Sequence, residues 1–308
     1  SNNFSLKALD VLKELGNISF LEKSELFSFI SDKDVLFTRL SFFVDDKFIR
    51  SARKLKYLCS PTTGLNHIDV DECIKRKIEI VSLRGETVFL SGIRATPEHT
   101  FGLVLSLLRN YKFAFLNQQN ALWDREIHKG FELYENKVGI VGMGRVGKIL
   151  VDYFKSFGAN VYYYDTNSNI ESIDAIKCTT LEEVLVRSSI IILTASYSES
   201  NYQFFNKKYI DLLKDKYFVN TSRGELVDET YLIEKIKHNF FKGIAIDTIQ
   251  NEQVENNLIG LLKYAEERNV IITPHIAGAT YNSMSKSENF IVKKLKNYLN
   301  KKIYERKI

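Results

Sequence analysis

The 308-residue chain contains little that would staple or interrupt it. It has three prolines (61, 97 and 274) and three cysteines, Cys59, Cys73 and Cys178. The cysteines are scattered, with no CxxC and no histidine pattern beside them, so they read as free thiols in a reducing compartment and no metal is assigned. No apolar run approaches the roughly 20 residues that span a bilayer. The opening stretch SNNFSLKALDVLKELG lacks a basic segment followed by an apolar core and a small-residue cleavage site. A secretion signal is therefore not read there, and a cytoplasmic location is expected. No repeat at a solenoid period and no low-complexity tract occurs. Charge of one sign is also scarce in excess: 43 basic and 38 acidic residues leave a net +5. The small lysine surplus near the end (Lys293, Lys294, Lys296, Lys301, Lys302) reads as a solvated helix face, so neither nucleic acid nor membrane is an expected partner. What remains is an ordinary globular composition, 44% hydrophobic, on a chain long enough for two domains with substantial cores.

The most informative stretch present is VGIVGMGRVGKILVDYFKSFGANVYYYD, Val138 to Asp165. An apolar run leads into Gly142-x-Gly144-x-x-Gly147, an amphipathic segment follows, and a second apolar run, Val161–Tyr164, ends in Asp165. Strand, glycine turn, helix, strand and acid make a dinucleotide-binding βαβ unit. Gly142 allows the tight turn, Gly144 lets the backbone approach a pyrophosphate, and Gly147 lets the helix pack against the sheet. The helix N-terminus offers N–H groups and partial positive charge to phosphates. Asp165 is placed to accept the adenosine ribose hydroxyls and to repel a 2′-phosphate, which favours NAD over NADP.

Apolar runs at Val138–Val141, Val161–Tyr164, Ile190–Leu193, Tyr217–Val219, Ile244–Ile246 and Val270–Ile272 are predicted as strands. They alternate with helical segments Arg145–Phe157, Thr180–Arg187, Lys207–Leu213 and Glu229–His238, a pattern that implies a parallel sheet covered on both faces. Thr180 and Asp228 are expected helix N-caps. A second α/β region precedes this one, with strands at Val35–Phe37, Lys56–Cys59 and Ile78–Val81 and helices at Phe48–Leu55 and Val70–Lys77. Glu98–Phe115 is predicted as one long apolar helix, suited to a core or to a subunit interface. A final amphipathic helix, about Asn282–Leu299, is left over to fold onto the first region.

Three further segments carry candidate chemistry, each at a strand end, where open α/β sheets place ligand-contacting residues. Arg223, in Val219-Asn-Thr-Ser-Arg-Gly, offers a fixed fork of donors for a carboxylate. Asp247 and Glu252 follow the next strand, and His275 follows Ile272-Thr-Pro. Taken singly, Arg223 also reads as a surface arginine in a polar turn, Asp247 and Glu252 as ordinary loop acids, and His275 as a structural histidine. Together they supply what hydride transfer to a ketone requires besides a nicotinamide: a cation that orients and polarises the carbonyl, a group that titrates near neutrality, and an acid that holds the imidazole in one tautomer. Arg223, His275 and Glu252 fit these roles.

The motifs GIVGMGRVGK, NTSRGELVDE, GIAIDTIQNE and TPHIAGAT resemble those of the D-isomer-specific 2-hydroxyacid dehydrogenase family, over most of the chain from about Leu55 to Ala279. The resemblance implies an α/β protein of two Rossmann- or flavodoxin-like parallel-sheet domains with a cleft between them. The substrate domain would be discontinuous, 1–94 and 280–308, and 95–279 would bind NAD. It implies an NAD-dependent oxidoreductase acting on a D-2-hydroxy or 2-keto acid, functioning as a homodimer. Arg223, Glu252 and His275 would be catalytic. Gly142, Gly144, Arg145, Val146, Gly147, Asp165, Thr194, Thr221, Asp247 and Gly278 would contact the cofactor. Thr63, Gly64 and Leu65, in the loop Thr62–Asp69, would join Arg223 in holding the substrate. A catalytically quiet NAD(H)-sensing protein is the alternative, since some relatives act as co-repressors. Glu252 argues against a formate-dehydrogenase-like enzyme, which pairs its histidine with glutamine.

The chain departs from the family pattern in places. Gln253 follows Glu252 where proline is usual, and Thr194 and Ser196 replace a His-x-Pro. Ser60 stands where phosphoglycerate-type members tend to carry arginine. The connection Ser82–Thr96 is long and holds Arg84 and Arg94, which read as solvated loop arginines or, as the alternative, as contacts to a larger anionic substrate. The identity of the acid is left open.

Overall fold

A computed structural model describes residues 4–22, 24–40, 42–119, 123–252 and 255–305. The chain forms two compact units, one of residues 1–93 with 280–308 and one of residues 94–279. Among the described residues no helix is long and apolar enough to cross a membrane. All three cysteines are buried and unpaired, and burial pushes their thiols up, out of the range of a reactive thiolate.

In the first unit, β1 (Val35–Phe37), β2 (Tyr57–Ser60) and β3 (Glu79–Ser82) form a parallel sheet in sequential order. The crossover helices Asp46–Ser51 and Val70–Lys75 are each started by an aspartate: Asp45 accepts the N–H of Phe48 and Asp69 that of Glu72. The last helix, Tyr281–Glu305, is longer than its amphipathic pattern suggests. It lays Ile291 and Leu295 against Tyr57, Val81 and Leu83. On it, the buried carboxylate of Glu288 receives the Arg39 guanidinium and the N–H of Ser5, tying the end of β1 and the N-terminal segment together. Lys294 and Lys296, part of the C-terminal lysine surplus, pair with Glu86 and Glu14 at 2.6 and 2.9 Å; the side chains of Lys301 and Lys302 lie outside those described. The connection after β3 is not a plain loop, because Thr87–Ser91 forms a short helix and the next helix already begins at Ala95.

The second unit holds β4 (Lys137–Val141), β5 (Asn160–Tyr164), β6 (Ile176–Lys177), β7 (Ile190–Leu193), β8 (Tyr217–Asn220), β9 (Gly243–Ile246) and β10 (Val270–Ile272). They form one parallel sheet in the order β10-β9-β8-β7-β4-β5-β6. All six expected strands are present. The added β6 is a two-residue edge strand, too short to leave a pattern. Strands β7, β8 and β9 are buried along their whole length, which is why they read as unbroken apolar runs. The helices Leu181–Arg187 and Glu229–Lys237 start at the expected caps, Thr180 and Asp228. Strand order reverses beside β4, so the carboxyl ends of β4 and β7 flank the crevice where such sheets bind ligands.

The expected single helix Glu98–Phe115 is two helices, Ala95–Leu108 and Tyr111–Gln119. The chain breaks at Asn110, which adopts φ 52° and whose side-chain amide donates to the Lys129 carbonyl at 3.0 Å. Asparagine tolerates this left-handed conformation better than most residues. Leu103, Val104, Leu107 and Leu108 of the first helix are buried in the core of its own unit, among Phe154, Val219 and Ala245. Burial of this kind contributes roughly 1.5–3 kcal/mol per large apolar side chain.

Candidate active site

The glycine turn after β4 has the geometry its spacing demands. Gly142 takes φ 101°, and a Cβ on it would lie 2.6 Å from the backbone nitrogen of Ala195. A Cβ on Gly147 would lie 2.4 Å from the Gly142 carbonyl oxygen, so helix Arg145–Ser156 approaches the turn only because that position is glycine. Beside Gly144 the space is open, which leaves the first turn of the helix accessible to an anion. Asp165, at the end of β5, accepts the N–H of Met143 at 2.7 Å and that of Asn167 at 2.8 Å. One backbone donor per carboxylate oxygen leaves lone pairs for ribose hydroxyls. Burial lowers the pKa of the Arg145 guanidinium, and the nearby positive charge of Arg94 adds to the effect. Val146 packs against the core as the helix begins. The Thr194 hydroxyl donates to the Gly142 carbonyl at 2.6 Å and so braces the turn from the end of β7. Turn, open helix end and acid together fit NAD.

The loop after β8 is laced internally. Buried Asn220 accepts the N–H of Ser222 at 3.0 Å and donates to the Arg223 carbonyl at 3.1 Å. Ser222 Oγ donates to the Ala195 carbonyl, and Thr221 Oγ1 meets Thr100 Oγ1 at 2.7 Å. At Gly224 a Cβ would lie 2.1 Å from the carbonyl carbon of Ile249, so the loops after β8 and β9 touch backbone to backbone. Gln250 fastens them further, donating to the Val227 carbonyl at 2.6 Å. This contact brings Arg223 into the field of Glu252 and Asp247. Burial pulls its guanidinium below the usual value, and the carboxylates of Glu252, Glu225 and Asp247 oppose that shift. Its Nη1 donates to the Ser222 carbonyl at 2.7 Å, which leaves the rest of the fork for a ligand.

His275 follows β10, and its Nδ1 lies 2.7 and 2.9 Å from the two oxygens of Glu252. With Nδ1 engaged, Nε2 is the nitrogen left to face a substrate. His275 has φ 52°, a conformation that costs a non-glycine residue about 1–3 kcal/mol. Asp247 holds it there. The Asp247 carbonyl accepts the N–H of His275 at 2.8 Å. Its buried carboxylate accepts the Thr273 hydroxyl at 2.6 Å and the N–H groups of Ile276 and Ala277 at 2.9 and 3.0 Å. Burial alone would raise the pKa of this carboxyl; hydrogen bonds from His99, Thr273, Ala277 and Ile276 outweigh it and keep the group ionised. Gly278 is exposed just beyond, with open space around it.

Residues 101–277 match the model of the D-isomer specific 2-hydroxyacid dehydrogenase, NAD binding domain. The chain belongs to this family. The D-3-phosphoglycerate dehydrogenase of Methanocaldococcus jannaschii is 29% identical over 305 residues, covering 97% of this chain and 56% of that protein. The chain thus spans little more than half of that relative's length. The glyoxylate reductase of Pyrococcus furiosus is 27% identical over 302 residues, 95% of this chain and 85% of that protein. Among solved structures, a D-lactate dehydrogenase from Aquifex aeolicus, complexed with NAD and lactic acid, has a TM-score of 0.81 and 25% identity, covering 97% of this chain and 93% of that one. By family the chain carries the NAD binding domain of the D-isomer specific 2-hydroxyacid dehydrogenases, in an α/β fold of parallel sheets.

The second unit brings Arg223, Asp247, Glu252 and His275 together. Thr63, Gly64 and Leu65 lie in the first unit, on the loop after β2. That loop is held by buried Ser60, whose hydroxyl meets Thr62 Oγ1 at 2.9 Å and His67 Nε2 at 3.1 Å, while Thr62 donates to the Gly64 carbonyl at 2.8 Å. Ser60 therefore shapes the loop from below. Gln253 lies outside the described residues. Three polar residues at the site were not anticipated from sequence: Asn220, His99 and Thr273. Their side chains act on backbone, on Asp247 or on each other; Asn220 and Thr273 open the motifs NTSRGELVDE and TPHIAGAT, and His99 stands in none.

Proposed function

We propose that the chain catalyses reversible hydride transfer between NAD(H) and a D-2-hydroxy acid/2-keto acid pair, with the second unit holding the cofactor and the first serving the substrate. The observation that carries this reading is the Nδ1 contact of His275 with Glu252, in the same unit as a partly buried Arg223 and the glycine turn. Bound NADH supplies the hydride. Arg223 orients the substrate carboxylate and polarises the keto oxygen with a planar fork. His275 Nε2 gives a proton to that oxygen as the hydride arrives, and takes it back in the oxidative direction. Glu252 fixes the imidazole tautomer and balances its charge while the proton is held. Asp247 keeps the histidine loop in place and leaves one carboxylate oxygen with spare accepting capacity for the cofactor. Thr194 and Thr221 have their hydroxyls engaged within the unit, so their contacts with the cofactor would come from backbone. The assignment of Thr63, Gly64 and Leu65 to the substrate rests on the family likeness.

Asp165 should set the cofactor. With a panel of 2-keto acids, wild-type protein is expected to oxidise NADH in preference to NADPH, because the carboxylate repels a 2′-phosphate. Asp165→Ala should narrow that preference, measured as the ratio of kcat/KM values. A wild-type preference for NADPH, or an unchanged ratio in the variant, would overturn the assignment, as would the lack of turnover with every acid.

We also infer a homodimer. The helix Ala95–Leu108, within the interface expected at Glu98–Phe115, lays Leu103, Val104, Leu107 and Leu108 in its own core, so we place the interface beyond it. Exposed apolar side chains follow it in sequence: Phe115 is 62% exposed and Trp123 94%, followed by Ile127 and Phe131. Where such side chains are contiguous on a surface, they mark an interaction site. Trp123 is the only tryptophan, so its emission should shift to the blue as concentration rises through the association range. Emission that stays at the solvated wavelength, with a monomer mass by light scattering, would reject the dimer.

A further inference from the structure

His99 lies on the helix Ala95–Leu108, outside every motif that led to the site. Its Nε2 is 3.1 Å from Thr273 Oγ1 and 3.3 Å from Asp247 Oδ1. Thr273 has a single hydroxyl hydrogen, and that hydrogen is directed at Asp247 Oδ1, 2.6 Å away. An ionised carboxylate only accepts. Both neighbours of Nε2 are therefore acceptors, and Nε2 must carry a proton, shared between them. The ring is thus held as a donor. Asp247 in turn carries the conformation of the catalytic loop: its carboxylate takes the N–H groups of Ile276 and Ala277, and its carbonyl takes that of His275, which sits at φ 52°.

Resting on the functional reading above, we propose that His99 is a positioning residue for the proton-transferring histidine: its Nε2–H locks Thr273 and the Asp247 carboxylate into the arrangement that holds His275 in its left-handed conformation. The physical reason is one of counting. Asp247 Oδ1 accepts from Thr273, from Ile276 and, at longer range, from His99, whereas Oδ2 has only Ala277 among the contacts described. Without the His99 donor, the buried carboxylate loses part of the field that keeps it ionised. Thr273 also loses the donor that points its own hydrogen toward Asp247. Either loss loosens the grip on a strained backbone, and the cost appears at the His275 ring, not at the cofactor cradle around Gly142–Gly147.

The test uses the full-length protein, with His99→Leu to remove the donor and His99→Gln to restore an N–H near the Nε2 position. In wild type, long-range proton–nitrogen spectra of histidine-labelled protein should show His99 as the Nε2–H tautomer. The His275 ring resonances should move in His99→Leu and return toward wild type in His99→Gln. In turnover, His99→Leu should lower kcat by roughly 10- to 100-fold, the scale on which a small misplacement of a reacting group acts, while KM for NADH changes by less than about twofold. His99→Gln should recover most of that loss. A wild-type Nδ1–H tautomer, a His99→Leu variant with wild-type kcat, or a His99→Gln variant as impaired as His99→Leu would overturn the inference. If wild-type protein turns over no 2-keto acid, the functional reading fails, and the tautomer and the His275 resonances still decide the role of His99 in the fold of the loop.

Discussion

Arg223→Lys should cost about 2–4 kcal/mol of transition-state stabilisation, read as a fall in kcat/KM of roughly 30- to 1000-fold, although the positive charge is kept. The side chain emerges from a turn pinned on both sides by Asn220 and pressed against Ile249 by Gly224. Its guanidinium is therefore presented as a fixed plane. A carboxylate oxygen and a keto oxygen of one substrate lie in a common plane as well, and two parallel N–H groups match them. An ammonium on a flexible stem reaches one of the two at a time and is more strongly hydrated. Steady-state kinetics on the best 2-keto acid are the check. A variant within about threefold of wild type would leave no room for an oriented charge-stabilising donor and would remove Arg223 from the reacting centre.

His275→Asn should lower kcat by about 10²–10⁴-fold, the usual contribution of a positioned general acid or base. Asparagine keeps a polar planar group and tolerates the left-handed backbone that His275 occupies, so the loop is expected to survive the change. Cofactor binding should survive too, because the glycine turn and Asp165 are at the ends of other strands. Quenching or energy transfer on NADH titration checks binding, and stopped-flow absorbance checks the hydride step. Intact turnover in His275→Asn would assign the proton to another group. Lost binding together with lost turnover would show that the substitution had damaged the unit as a whole.

Much of the fold was legible because the second unit is a parallel sheet. Strands without polar residues leave unbroken apolar runs, so Ile190–Leu193, buried throughout, and Val270–Ile272, buried at Val270, are identified to the residue. The caps Thr180 and Asp228 announce their helices because a side-chain oxygen before an amphipathic run has one natural partner, the free N–H two or three residues on. Ile176–Lys177 left no trace, since a two-residue edge strand buries too little to impose a pattern. The break at Asn110 was hidden because the apolar residues on both sides of it keep a helical rhythm, and only one left-handed residue interrupts them.

The proposed reacting groups stand out in the sequence, whereas the residues that hold them do not. Arg223, Glu252 and His275 stand in motifs whose chemistry is apparent from residue type. Asn220 works through the backbone of its own loop, whereas Thr273 and His99 work through Asp247 and each other across long separations: His99 and Thr273 are 174 residues apart. The positive φ of His275 had no sequence signal either, because it is imposed by Asp247 from a neighbouring strand end and not by a glycine.

The central claim is that hydride moves directly between the nicotinamide and the second carbon of the acid. The most direct measurement is single-turnover reaction of purified protein with NADH deuterated at both C4 positions, in ordinary water, against a panel of phosphorylated and unphosphorylated 2-keto acids. The expected product is a 2-hydroxy acid of D configuration carrying one deuterium at C2, formed by wild type and slowed strongly in His275→Asn. NADH that binds and is never oxidised by any acid in the panel, or a product whose C2 hydrogen comes from water, would contradict it.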